Sequence, residues 1–314
     1  MKAIGSGRRG VRGLGLAGMA AFLVACSTPP VAPPAVVVPG ADTPEKPVSA
    51  ERRPAHIGLA LGGGAARGFA HVGVIQVLEE AGLRPQVVAG TSAGSLVAAL
   101  YASGKTTQEL RRVAETMEEA EITDWMVPIL NRGALRGEAL AKYVNTQVAG
   151  RSIEQMKIPL GIVATDLRSG EAVTFRRGNT GSAVRASSAV PAVFQPVRIG
   201  EREYVDGGLV APVPVRQARE MGANFVIAVD ISSDPEGNPA GDTFQILMQT
   251  FAIMGKSINV LALREAEFVV RPSLSGVKSA DFGARRRSIE AGRSAMLAML
   301  PQLKARIAAF ERGE

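Results

Sequence analysis

The chain has 314 residues, with 36 Lys and Arg against 29 Asp and Glu, two histidines and one cysteine. That length gives ample material for a core, while the counts exclude an intramolecular disulfide, a cysteine-rich zinc site and a multi-histidine metal centre. Lys2, Arg8, Arg9 and Arg12 lie in the first 25 residues with no acid beside them, so without that stretch the net charge of +7 falls to +3 and gives no argument for nucleic acid.

Residues 1–25 read as an export signal: the four basic residues, then an apolar run from Leu14 to Val24 that is short for a membrane span. The run closes in Leu23-Val24-Ala25-Cys26, which resembles a bacterial lipobox. That resemblance makes Cys26 the lipidated first residue of the mature protein. Ser27 after it implies the outer membrane, facing the periplasm. Seven prolines between Pro29 and Pro47 make residues 26–54 a semi-extended tether. The globular part is expected over residues 55–314.

An apolar strand, Ile57 to Leu61, runs into Gly62-Gly63-Gly64-Ala65-Ala66-Arg67-Gly68 and a helix-patterned segment to Glu80. The loop fits neither a dinucleotide fingerprint, for which the second strand lacks a terminal acid, nor a P-loop, which needs Gly-Lys-Ser/Thr. Two readings remain: a tight strand-helix connection, or an oxyanion hole made by the amides of Gly63, Gly64 and Ala65. In the second, Arg67 and Gly68 support the loop, or Arg67 faces an anionic head group. A second strand, Val87 to Ala89, ends in Gly90-Thr91-Ser92-Ala93-Gly94 before an Ala/Leu-rich helix. A serine between glycines at a strand-to-helix turn reads as a nucleophile elbow, with Gly90 and Gly94 small because the turn crowds them.

Thr106 and Glu109 form a capping-box pattern ahead of a helix carrying Leu110, Val113, Ala114 and Met117 on one face. Trp125 to Leu130 is apolar and broken by proline, and a second helix spans about Gly137 to Val148. Strands follow at Ile158 to Ala164 and Ala172 to Phe175, and Ala183 to Ala189 is helix-patterned. Asp166, at a strand end before a turn, reads as a structural hydrogen-bonding residue. Glu203-Tyr204-Val205 leads into Asp206-Gly207-Gly208. A serine hydroxyl needs a base. His71, in the helix leaving the glycine loop, reads as a packing residue, whereas Asp206 before two glycines can present a carboxylate to another loop.

Phe225 to Asp230 is another strand, and Asp234 to Gly241 a polar loop. Thr243 to Glu265 is helix-patterned, with Phe244, Leu247, Met248, Phe251, Ile258 and Leu261 on a stripe that reads as core, a membrane-touching face being the alternative. Phe268 to Val270 is a last strand. Arg285-Arg286-Arg287 opens a closing helix, a solvated face, expected to be interrupted at Pro301.

Three of these motifs, in this order, resemble the patatin-like phospholipase family in its bacterial form: Leu61 to Gly68, Gly90 to Gly94, and Asp206-Gly207-Gly208. Ala186-Ser187-Ser188-Ala189-Val190-Pro191 resembles the family's segment before the aspartate. The similarity runs from about His56 to Ser232. It implies a three-layer α/β/α fold with a central, mostly parallel sheet. It makes Ser92 the nucleophile, Asp206 the base and Gly63, Gly64 and Ala65 the oxyanion hole, with no metal or organic cofactor. The substrate class it implies, together with the anchor, is phospholipid or lysophospholipid at a membrane. An inactive lipid-binding protein, or an esterase for soluble esters or thioesters, is the alternative. Many members carry glycine where Ala65 stands, and an alanine fits there when its φ is negative.

Overall fold

The computed structural model describes residues 53–124, 132–236, 241–278 and 280–314. The expected signal, Cys26, all but the end of the tether, and Trp125 to Leu130 lie outside them. The described residues belong to one compact unit, Ser49–Glu314.

The centre is a run of fully buried strands: β1 (Ile57–Leu61), β2 (Val87–Thr91), β4 (Leu160–Asp166) and β9 (Phe225–Val229). Strands buried on both faces are continuous apolar runs rather than alternating ones, which is how β1, β2 and β9 read. Around them are β5 (Ala172–Phe175), β7 (Val197–Ile199), β8 (Arg202–Asp206) and β10 (Phe268–Val270), in the order β10-β9-β1-β2-β4-β8-β7 with β5 also on β4. The pairs from β10 to β4 are parallel, while β5, β7 and β8 pair antiparallel. Short β3 (Gly133–Leu135) and β6 (Ala192–Phe194) make a separate two-stranded sheet.

Alternate residues feed two cores. Leu59, Leu61, Val88, Phe225, Ile227 and Val229 face α1 (Ala70–Glu80), α2 (Ala93–Ala102), α3 (Thr107–Thr116) and α9 (Arg285–Arg312). Ala60, Ala89, Val226 and Ala228 face α7 (Val215–Glu220). The remaining helices are α4 (Glu119–Ile122), α5 (Glu138–Gln147), α6 (Thr180–Ser187) and α8 (Thr243–Ala262). The expected three layers and mostly parallel sheet are present, and Thr106 and Glu109 do close a reciprocal cap on α3.

Two expectations fail. The α8 stripe is not core: none of its six residues belongs to either core, and Phe244, Leu247 and Leu261 are exposed. Small residues on that face of the sheet are already covered by α7. The closing helix is also not interrupted, because α9 runs through Pro301. Proline removes one donor to the carbonyl four residues back. Here that carbonyl belongs to exposed Leu297, where water can replace it, while Leu303 and Ile307 pack the second half. One close approach fixes α9. A Cβ on Gly73 of α1 would lie 1.9 Å from the Ile289 carbonyl, and one on Gly292 1.9 Å from that of Ala70, so the two backbones touch.

Candidate active site

The register of β4 brings the serine and the aspartate together. β2 pairs with it up to Thr91 opposite Val163, and β8 pairs with it from Asp206 opposite Ala164. β5 pairs with Ile162 to Thr165 and so takes the other edge. β2 and β8 therefore share one edge of β4 and run toward each other. Ser92 and Asp206 stand where their C-terminal ends meet.

Ser92 lies at the end of β2, at φ 53° and ψ −124°, as the N-cap of α2. The positive end of that helix faces its hydroxyl. A Cβ at Gly94 would come within 2.1 Å of the Leu61 carbonyl, and one at Gly90 within 2.5 Å of the Gly94 carbonyl, so both positions require glycine. The Ser92 amide donates to Ser187 Oγ (2.8 Å), which donates to the Val163 carbonyl (2.5 Å). Ser95 Oγ and its amide both donate to the Ser92 carbonyl.

Asp206 is buried. Its Oδ1 accepts from the Gly208 amide (2.7 Å), its own amide donates to the Ala189 carbonyl, and its carbonyl accepts from Thr165 Oγ1. Gly207 packs against the Val163 carbonyl. Burial pushes the Asp206 carboxyl up to about 6, against the lowering contributions of the Ser92 hydroxyl and the Gly208 amide. Oδ2 is buried and lacks a partner at full hydrogen-bond geometry, with the Ser92 hydroxyl set against the carboxyl. Such contacts tighten in a reacting complex. A carboxylate pushed up to about 6, with one oxygen on the Gly208 amide and the serine hydroxyl set against the carboxyl, can accept that hydroxyl's proton.

The glycine loop meets the same point. Gly63 lies against Ser92 Cβ, and Gly68 against Ala93. The amide of Gly63 donates to the Pro212 carbonyl (2.9 Å). That corrects the expected trio, because a donor already spent on the backbone leaves only the amides of Gly64 and Ala65 as candidates for an oxyanion. Ala65 has φ 50°, so the condition under which an alanine fits there without strain is not met. This costs roughly 1–2 kcal/mol. Arg67 supports the loop through its main chain, donating to the Gly64 carbonyl, whereas its Nε is buried without a partner. Burial lowers the Arg67 pKa, opposed by the charge of Asp230.

His71 is a packing residue, as expected. Fully buried and pushed down to about 4 by that burial, it is neutral, and its Nε2 donates to the Gly62 carbonyl (2.8 Å). Asp166 is structural too, holding the amides of Arg168 and Ser169 and the Arg202 guanidinium. Sequence reasoning missed three further contacts: Ser187 on the Ser92 amide, Pro212 on the loop, and the Ala211 carbonyl accepting from Thr91 Oγ1. Only the Ser187 motif offered any signal.

Beside Ser92 opens a cavity of about 160 Å³ lined by Phe69, Leu96, Leu100, Met117, Phe194 and Phe282 among others. Ser92 and Ser188 are the only polar side chains among its described lining residues. Such an apolar lining beside Ser92 is suited to a hydrocarbon chain. No group of three or more His, Cys, Asp and Glu able to hold a metal occurs among the described residues.

The family model described as patatin-like phospholipase matches residues 59–219. An uncharacterized NTE family protein of Mycobacterium tuberculosis is 38% identical over 187 residues, 59% of this chain and 51% of that one. Patatin-like phospholipase domain-containing protein 6 of Mus musculus is 30% identical over 262 residues, 72% of this chain and 19% of its own length. The chain thus spans about half of the mycobacterial relative and a fifth of the mouse one. Among solved structures, VipD from Legionella pneumophila shares the fold at a TM-score of 0.53 and 16% identity, over 79% of this chain and 67% of that one.

Proposed function

Given that the chain belongs to the patatin-like phospholipase family, we propose that it hydrolyses fatty-acyl esters of phospholipids or lysophospholipids through Ser92 and Asp206. The observation that carries this reading is the buried carboxyl set against the Ser92 hydroxyl at the mouth of an apolar cavity.

The acyl chain enters the cavity and brings its carbonyl to Ser92. Oγ attacks the carbonyl carbon while Asp206 takes the hydroxyl proton. The amides of Gly64 and Ala65, with the N-terminus of α2, hold the oxyanion. Collapse of the tetrahedral species expels the alcohol, which takes the proton back from Asp206. Water then attacks the acyl-serine as Asp206 accepts its proton, and Asp206 returns that proton to Ser92 Oγ as the fatty acid leaves. Lipidation of Cys26 and the proline-rich tether hold the domain at the outer membrane, facing the periplasm.

The test is fatty-acid release from phosphatidylcholine and lysophosphatidylcholine by the unit Ser49–Glu314, which contains every core residue, beside Ser92→Ala and Asp206→Asn. Release abolished by both substitutions supports the reading. No release, with no fluorophosphonate labelling of Ser92, overturns it. Turnover restricted to short soluble esters overturns the substrate class. Palmitate labelling of the full chain that persists in Cys26→Ala overturns the anchor.

A further inference from the structure

Helix α8 carries seven of the nine large hydrophobic side chains that are exposed among the described residues. Six of them form two rows at seven-residue spacing: Ile246, Ile253 and Val260, and beside them Leu247, Met254 and Leu261, each 37% to 65% exposed. Adjacent residues of a helix stand 100° apart, so the rows bound a broad face, wider than the seam by which two helices pair. Thr250 and Ser257 lie between the rows. Their hydroxyls donate to carbonyls of the same helix, Thr250 to Ile246 (2.9 Å) and Ser257 to Ile253 (3.2 Å). The face can therefore leave water without stranding a polar group. Lys256 is the only charged side chain from Thr243 to Ala262, and it pairs with Asp234 off this face.

Position gives the face its occupant. α8 connects β9 to β10, parallel neighbours in the sheet, so it runs back from the edge that holds the site to the opposite edge. Along the way Gly255 faces the Pro212 side chain, in the loop that follows Asp206 and whose Pro212 carbonyl holds the Gly63 amide. At the far edge Arg219 donates to the carbonyls of Glu265 (3.1 Å) and Asn224 (3.5 Å), and the Asn224 side-chain Nδ2 donates to the Pro54 carbonyl (3.1 Å). α8 thus borders the loop of the proposed base, and the turn that follows it is linked through Arg219 and Asn224 to Pro54, the end of the tether.

We propose that α8 lies in the interfacial plane of a lipid bilayer, apolar face down, and sets the site against the surface that supplies its substrate. Its 20 residues make a rod about 30 Å long. That is long enough to span a bilayer, but a helix bound into adjacent strands at both ends lies along the surface. A bilayer rather than a second copy follows from the breadth of the face and its self-satisfied hydroxyls. It rests also on the lipid-ester reading of the site.

The experiment uses the unit Ser49–Glu314 and sucrose-loaded vesicles of phosphatidylcholine, with and without phosphatidylglycerol. Ile246→Gln, Ile253→Gln and Val260→Gln combined are expected to lower sedimentation with vesicles at least 10-fold, while fluorophosphonate labelling of Ser92 in solution stays at the parent rate. A nitrobenzoxadiazole label on Ile253→Cys, the only thiol in this unit because Cys26 is the chain's one cysteine, is expected to brighten and shift to the blue with vesicles. Ser92→Ala is expected to bind vesicles like the parent, so that loss of hydrolysis and loss of docking are separate results. Parent protein that stays in the supernatant, a label that stays dim, or a triple variant that binds unchanged overturns the proposal. Light scattering that shows a stable parent dimer dissolved by the triple variant overturns it in favour of a second copy.

Discussion

The two strand-to-helix turns of the site each place a non-glycine residue at positive φ and differ in what enforces it. Ala65 has φ 50° and Ser92 φ 53°. Around Ser92 the structure leaves no alternative: glycines on both sides are pressed against backbone, the amide is held by Ser187 and the carbonyl by Ser95. Around Ala65 the constraint is thinner, with Gly64 packed on Ile231 and one turn closed by the Arg67 amide. Strained conformations persist where the surroundings over-determine them. The elbow is rigid through crowding, while the glycine loop is held by a few bonds that keep two amides unspent.

Asp206→Asn tests the elbow's partner and carries the largest expected effect. Turnover falls on the order of 10³-fold or more. The same change stabilises the fold. Because the folded acid titrates at about 6 rather than 3.8, it holds its proton more tightly folded than unfolded. Its contribution is therefore favourable at low pH and is lost as pH rises through 6. At pH 8 the deficit reaches about 3 kcal/mol, and urea titration at that pH should find the Asn variant more stable. Parent turnover should rise with pH with an apparent pKa about 6. A profile flat through that region breaks the assignment of the base.

Gly94→Ala forces a Cβ to within 2.1 Å of the Leu61 carbonyl, whereas Gly63→Ala in the other turn meets Ser92 Cβ at 3.2 Å. The first should cost about 3 kcal/mol or more and the second about 1 kcal/mol in denaturant titrations. Equal costs would erase the contrast between the turns. Ser187→Ala strands the buried Ser92 amide and should cost about 1–3 kcal/mol, with slower fluorophosphonate labelling and unchanged vesicle binding. The smallest effect belongs to Ala65→Gly. Relief of the left-handed strain exceeds the added chain entropy, for a gain of under about 1 kcal/mol. A loss there would mean that the alanine methyl contributes packing the strain argument leaves out.

The local turns of the candidate site were legible in the sequence: the elbow, the glycine loop and the Asp-Gly-Gly turn announce themselves through residues confined to one turn each. Buried strands such as β1 and β9 were equally legible as apolar runs. The meeting of β2 and β8 on one edge of β4 was not, because β4 pairs with each of them across long intervening stretches that leave no local pattern. Nor was the spending of the Gly63 amide on Pro212, or the sign of φ at Ala65. The α8 stripe shows a different limit. Periodicity finds an apolar face but does not say what lies against it, and small residues at Ala60, Ala89 and Ala228 had already taken α7 as their cover.

The backbone contact between Gly73 and Gly292 has a consequence for how the molecule comes into being. α1 leaves the glycine loop and buries itself on α9, so its packing partner does not exist until residue 292 has been synthesised. A contact so distant in sequence delays folding and lengthens the time that an apolar surface is exposed. The nascent chain can make strands and helices early, but the loop that carries the unspent amides is seated late. Synthesis of α9 is therefore what allows α1 to reach its native packing.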